Sequence, residues 1–398
     1  MQILKDENFL FALLFVLNLI CLFFAISNLS ISYYEAEIFF NNEDLAGVLA
    51  NLSCQIFGQN DLAVRLPFLL LHFINCILMY RYSKLLLKRK GDRLLCVAIY
   101  MFLPGVMVSA LLVNVAGVIL FFTLLFLYLY EKGYYSLAAF LLSFTLLIDI
   151  SFGVLYLGVF FYAIYIKNQK LSILSFGLFL IALVFYTYDI HGKPKGYFLD
   201  AVGIYAAVFS PLIFLFFVYV IYRIWVKERK TLLWFVVITA FCISLLLSFR
   251  QRFEIEKFLP YVVISIPILV RVFFNSQRVR LPEFRKKHNV LAVVLLIGLF
   301  FHSFLLINNQ IFYPTIFKNN PQDHFIYEFD IAKDLSNELK SLGITNIITL
   351  DDELRIRLKF YGINSGGRDI LSQEPIGAIK NVIEIKKYKN VIVKFYIF

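Results

Sequence analysis

The chain has 398 residues, 61% of them hydrophobic and 18% aromatic against 16% charged, with a mean hydropathy of +0.78. That balance excludes an ordinary soluble enzyme and a disordered scaffold, and it marks an integral membrane protein. The formal charge of +11 does not point to nucleic acid, because the basic residues lie in short clusters between apolar runs, and the five scattered cysteines show neither a disulfide framework nor metal-ligand spacing.

Apolar runs of roughly 17–25 residues, the length that crosses a hydrocarbon core of about 30 Å, recur from the N-terminus to position 307. They predict about eleven helices, at 8–30, 66–83, 94–112, 114–130, 135–150, 152–166, 171–189, 201–222, 231–249, 258–275 and 289–307. The first has no small-residue cleavage site after it, so it is expected to be retained as a helix. With a cytoplasmic N-terminus, the even-numbered connections carry the Lys and Arg clusters, from "RYSKLLLKRKGDR" to "RVRLPEFRKK", as the positive-inside rule asks. The first long connection, 31–65, and the C-terminal tail then face outward.

In that connection Asn42-Glu43-Asp44 reads as a helix start with acids in its first turn. Leu45, Leu49, Leu52 and Ile56 follow at helical spacing before Gly58, as in an amphipathic helix lying on a membrane surface. From about 308 charges, Asn, Pro and Gly return. Ile331, Leu335, Leu339 and Leu342 line one helical face ended by Gly343, a β-branched strand follows, and Asp351 is a cap candidate for a second helix. "NVIEIKKY" and "NVIVKFYIF" read as strands. The expected architecture is an all-α polytopic bundle over 1–307 with a small α/β domain over 308–398.

Where the first run ends, "ISYYEAEIFF" places Glu35 and Glu37 at the bilayer edge. Two readings stand: the acids mark the water interface, or one serves as a general base toward a hydroxyl or amine. Position alone does not separate them.

With the long first helix, the acid pair, "IFGQNDLAVRLP" at 56–67, the basic turn "KLLLKRKGDR" and "EKFLPYVVISIPIL" at 256–269, the chain resembles the C-type lipid-linked glycosyltransferases (GT-C fold). Within them it is most similar to the protein O-mannosyltransferase and aminoarabinose transferase superfamily, glycosyltransferase family 39 and its bacterial relatives. The tail segment "ELKSLGITNIITLDDELRIRLKFYGI" resembles that of bacterial members. Family members open the loop with Asp-Glu-Ala, whereas Tyr34-Glu35-Ala36 stands here, so Tyr34 occupies the place of the catalytic Asp and Glu37 is an additional acid. A paired-proline segment is missing from the loop, and Asn114 stands where relatives often carry Asp.

The resemblance implies an inverting hexosyl- or pentosyltransferase, and the short loops and lack of a disulfide framework suit a bacterial inner membrane. Its donor is a sugar on a polyprenyl phosphate, and its acceptor a lipid, glycan or protein on the outer face. Such a reaction needs an acceptor base, for which Glu35 and Glu37 are the candidates, and cations for the leaving phosphate. Arg65 with Arg250, Arg252 and Lys257 form the expected phosphate clamp, since they lie in outward connections against the orientation rule; interfacial snorkelling or contact with lipid headgroups is the other reading. Tyr34, Asp149, Asp189, His191 and Lys193 are candidates for substrate binding, with helix capping or plain exposure as the alternative for the two aspartates. No metal-ligand set is read, and assistance by a divalent cation stays open. Two other functions remain: a transporter or flippase for a lipid-linked glycan, and a non-catalytic relative that binds a lipid.

Overall fold

Apolar runs make helices wherever backbone groups must be satisfied without water, and prolines and glycines decide where those helices break. The computed structural model describes residues 6–42, 44–185, 196–252, 254–375, 377–387 and 390–398. In chain order its elements are α1 (Glu7–Asn28), α2 (Tyr33–Asn41), α3 (Leu45–Phe57), α4 (Asp61–Leu86), α5 (Lys90–Met101), α6 (Pro104–Leu111) and α7 (Ala116–Glu131). There follow α8 (Tyr135–Phe144), α9 (Phe152–Tyr165), α10 (Gln169–Phe185), α11 (Phe198–Phe209), α12 (Pro211–Lys227), α13 (Leu232–Ser248), α14 (Ile255–Val263), α15 (Ile266–Val279), α16 (Pro282–Ile307) and α17 (Phe312–Thr315). The tail adds α18 (Ala332–Ser341), β1 (Asn346–Thr349), α19 (Asp352–Phe360), β2 (Asn364–Ser372), β3 (Asn381–Lys387) and β4 (Asn390–Ile397).

Among the described residues, four helical stretches are long and apolar enough to cross a membrane: Glu7–Asn28, Asp61–Leu86, Ile255–Val279 and Pro282–Ile307. Two expected spans are bent pairs instead. The run at 94–112 breaks between α5 and α6 by 54°, and the run at 201–222 breaks between α11 and α12 by 105°. Both breaks precede a proline, Pro104 and Pro211, whose ring and missing N–H disrupt the helix before it while suiting a new first turn. The other apolar helices have 10–17 residues.

The chain divides into two compact units. The first comprises Met1–Leu19, Leu69–Ala110 and Asn114–Ser303; the second comprises Ile20–Phe68, Leu111–Val113 and Phe304–Phe398. The first long connection, 31–65, falls in the same unit as the tail.

In the first unit α9 packs against α10 and α13. A Cβ on Gly158 of α9 would lie 2.8 Å from the Val236 Cα of α13, so the two backbones meet because no side chain intervenes. Polar groups inside this apolar bundle are paired, as burial demands: the Asn18 amide donates to the Met101 carbonyl at 3.0 Å, and its oxygen lies 2.8 Å from His72 Nε2.

In the second unit the sheet order is β1-β2-β4-β3, with β1 and β2 parallel, joined through α19, and the other pairs antiparallel. Ile331, Leu335 and Leu339 from the predicted helical face are buried with Ile347, Leu358, Ile383 and Phe395, whereas Leu342 is exposed. Asp351 caps α19, accepting from the Glu353 and Leu354 amides at 3.0 and 3.1 Å. In the loop, Asn42 is the left-handed cap that ends α2 rather than the start of α3, whose N-cap is Asp44. Asn51 ties the α2–α3 corner, donating to the Phe39 and Gly47 carbonyls at 2.7 and 3.0 Å.

A Gly158→Leu variant is expected to lose about 1–3 kcal/mol or more, because the α9–α13 backbones must separate. Thermal unfolding in detergent reads the effect, and a midpoint equal to the parent's contradicts that packing.

Candidate functional site

The candidate site is built from the turn between α1 and α2. Ser32 has extended backbone and caps α2, and Glu35 three residues on reaches back to it, so the two satisfy each other's first-turn groups in a capping box. Glu35 is 2% exposed and Arg65, one turn into α4, is fully buried. Arg65 Nε donates to Glu35 Oε1 at 3.0 Å and Nη2 to Oε2 at 2.8 Å, a bidentate fork matched to the carboxylate plane. Glu35 Oε1 also accepts from the Val113 amide at 3.1 Å, and Oε2 from the Ser32 amide at 3.0 Å and hydroxyl at 3.2 Å.

The remaining guanidinium face is also engaged. Nη1 donates to the Leu29 carbonyl and Nη2 to the Ser30 carbonyl, both at 2.9 Å. These are the carbonyls where α1 gives out, so the arginine supplies the donors that the helix end lacks. A carboxylate with both oxygens multiply hydrogen-bonded has no lone pair open to an acceptor proton, and a guanidinium so surrounded has no free fork for a phosphate. The sequence reading sends Arg65 to a phosphate and Glu35 to a substrate; the structure joins them to each other.

Glu37 is placed differently. It is half-buried on α2, and it shares a helix face with Tyr33 four residues back. Its charge first, then burial, pushes the Tyr33 phenol above its ordinary range, with Glu353 adding to the effect. No described cation forms an ion pair with Glu37. Tyr34 is 71% exposed and turns away from the buried pair.

The tail encloses the same turn. Ser30 donates through both its amide and hydroxyl to the Phe329 carbonyl at 2.8 Å. The Ile31 amide donates to the Tyr361 hydroxyl at 2.8 Å, and that hydroxyl donates to Asp61 on α4. Burial, with the Asp61 charge next, pushes the Tyr361 phenol far above its usual range, so it remains a donor. Lys333 completes the group 3.1 Å from Asp61 Oδ2. Phe39 and Phe360 meet edge to face at 5.3 Å. Ser32, Asp61 and Tyr361 were not singled out in the sequence, although Ser-x-x-Glu at 32–35 was a readable capping signal.

Arg250, Arg252, Lys257 and Asp149 lie in the first unit. Arg250 and Arg252 are exposed between α13 and α14, and no described carboxylate pairs with either. Lys257 pairs with Glu254 at 2.7 Å. Asp149 accepts from the Ser151 amide at 2.7 Å, an Asx turn leading into α9. Asp189, His191 and Lys193 lie outside the described residues. Among the described residues no group of three or more His, Cys, Asp or Glu side chains is placed to hold a metal ion.

No protein-family profile matches the chain, and no curated protein matches it significantly. Among solved structures it is similar to the crystal structure of ArnT from Cupriavidus metallidurans in the apo state, at 13% identity and a TM-score of 0.48, over 88% of this chain and 74% of that one.

Removing either member of the buried pair, by Glu35→Gln or Arg65→Met, is expected to cost about 3–5 kcal/mol, since the partner is left charged or short of bonds out of water. The double change Glu35→Leu with Arg65→Met is expected to be milder than the sum of the single changes. Detergent melting curves of the three variants test this coupling, and strictly additive losses would show that the pair is not a unit.

Proposed function

We propose that the chain is a membrane glycosyltransferase of the C-type class, acting at the outer face of a bacterial inner membrane. In this reading it moves a sugar from a polyprenyl-phosphate donor to a hydroxyl or amine of a lipid, glycan or protein acceptor. The observation that carries the reading is that the two segments bearing the resemblance, "ISYYEAEIFF" and "IFGQNDLAVRLP", meet through Glu35 and Arg65 and hold α2 in a defined pose, with a second acid two residues on. The exposed apolar residues of α3, Leu45, Val48, Leu52 and Ile56, support a loop that rests on a bilayer surface.

The roles then divide. Glu37, with no cation partner among the described residues, takes the proton from the acceptor hydroxyl or amine as the acceptor attacks the anomeric carbon. The bond from that carbon to the phosphate oxygen breaks on the opposite face, and the polyprenyl phosphate leaves with the electron pair and inversion at the sugar. The reaction also needs cations for the leaving phosphate, and Arg250 and Arg252, with Lys257 five residues on in the chain, are the candidates that the sequence offers. Gln251 between them has a buried amide oxygen without a partner among the described residues, an acceptor suited to a sugar hydroxyl. Glu35 and Arg65 are positioning residues.

A second reading, a lipid-binding relative without turnover, is favoured by one feature: Tyr34 stands in the place of the family's acid and points to the outside.

Glu37→Gln is expected to lower sugar transfer by roughly 100-fold or more, the range for a lost general base, at unchanged melting temperature. Sugar attachment by the purified parent in detergent, where no compartments exist, separates a transferase from a flippase or a binding protein. Full activity of Glu37→Gln removes the acid from the reaction. Joint replacement of Arg250 and Arg252 by Ala is expected to weaken donor affinity more than acceptor affinity, and equal donor affinity removes the clamp.

A further inference from the structure

Within the first unit, α5, α12, α15 and α16 leave an open crevice, and every residue lining it is apolar. Its walls include Leu95 and Ile99 of α5, Ile266 and Phe273 of α15, and Ala292 and Leu296 of α16. From Ile266 to Phe273 the wall runs about 10 Å along the helix axis, at about 1.5 Å per residue. Helix α16 is mostly exposed, with 11% of its most apolar stretch buried, so it forms an outer wall toward the lipid.

One end of this crevice is basic on three helices at once. Lys90 lies five residues before Leu95, Arg278 five after Phe273, and Lys287 five before Ala292, so each charge stands about 7.5 Å beyond the apolar wall on its own helix. Cross-links bring these ends together: Arg278 pairs with Asp92, Arg285 donates to the Arg278 and Arg280 carbonyls at 3.1 and 2.8 Å, and His288 stacks on Phe273 at 4.3 Å. Arg278 is neutralised by Asp92 and Arg93 by Glu7, yet Lys88, Arg89, Lys90, Arg280, Lys286 and Lys287 are exposed and form no ion pair with a described residue. Positive-inside topology accounts for basic loops in general. It does not account for a greasy slot opening just above one.

From this juxtaposition we infer that the crevice is a binding site for an anionic diacyl phospholipid drawn from the surrounding bilayer, one acyl chain in the slot and the headgroup phosphate among the unpaired Lys and Arg of the α5, α15 and α16 ends. Apolar slots between helices beneath a basic patch recognise anionic headgroups through charge while the chain is held by burial. The site differs from that of the proposed donor. Arg250 and Arg252 precede the stretch Ile255–Val279, whose 25 residues separate them from Arg278 by the full length of a span, about 37 Å if straight.

The test uses the full chain in detergent with defined lipids added. Phosphatidylglycerol is expected to raise the melting temperature and to bind at least tenfold more tightly than phosphatidylcholine. The triple variant Arg280→Gln, Lys286→Gln, Lys287→Gln, altered only at exposed positions, is expected to lose that preference while melting like the parent without lipid. Ala292→Phe, which fills the slot, is expected to lose binding of both lipids; the charge variant decides alone where Ala292→Phe does not fold. Equal affinity for the two lipids in the parent, or an unchanged preference in the triple variant, overturns the inference. So does a glycerol phosphate without acyl chains that stabilises as well as the lipid, which means a bare anion site. A polyprenyl phosphate that binds more tightly than phosphatidylglycerol, with the same sensitivity to the triple variant, overturns it in favour of a donor-lipid site. Loss of sugar transfer in Glu37→Gln bears on none of these readouts.

Discussion

A carboxylate and a guanidinium taken out of water together are stable only if their geometry is good and every remaining donor and acceptor is met. Glu35 and Arg65 satisfy that condition with the carbonyls of Leu29 and Ser30, the amides of Ser32 and Val113, and the Ser32 hydroxyl. The bonds join the end of α1, the start of α2, the first turns of α4 and the short segment at 111–113. Each group depends on the others, because any one left alone is an unpaired polar atom in an apolar setting. Order in the first loop follows from this knot, and so does the pose of α2.

The tail extends the same logic. Phe329, Tyr361 and Lys333 approach the turn from α18, α19 and the helical segment before them, meeting Ser30, Ile31 and Asp61. A soluble α/β appendage held only by its linker would be free to move. Here its hydrogen bonds end on the backbone that carries the acid pair, so the sheet domain and the first loop form one body. Two carboxylates two residues apart thereby acquire different characters. Glu35 is fixed by an ion pair, while Glu37 lies beside a phenol with no described cation paired to it, and opposite environments of this kind are how neighbouring acids come to hold separate tasks.

Much of the helical layout was legible because the requirement behind it is local. An apolar run of span length has few options in lipid, and a proline marks where a helix gives way, as Pro104 and Pro211 do at the two bent pairs. Asp351 and the residues Ile331, Leu335 and Leu339 were readable for the same reason, a cap and a periodic face being properties of neighbours in the chain. β2 was not readable. Its sequence, "NSGGRDILS", lacks the β-branched alternation of β3 and β4, and it is a strand because β1 and β4 flank it. Asn42 misled in another way: it has the composition of a helix start, but the preceding turns of α2 claim it as a left-handed stop.

The sequence by itself determined that the chain is a membrane protein of many apolar helices with a small α/β tail, since composition and periodicity reflect the solvent each segment must meet. It also marked the acid pair and Arg65 as unusual for where they stand. Only the tertiary structure decided that Glu35 and Arg65 answer each other, that Glu37 has no such partner among the described residues, and that the tail folds with the first loop. Those outcomes depend on which residues thirty or three hundred positions apart come within about 3 Å, the reach of a hydrogen bond, and no local pattern encodes that distance.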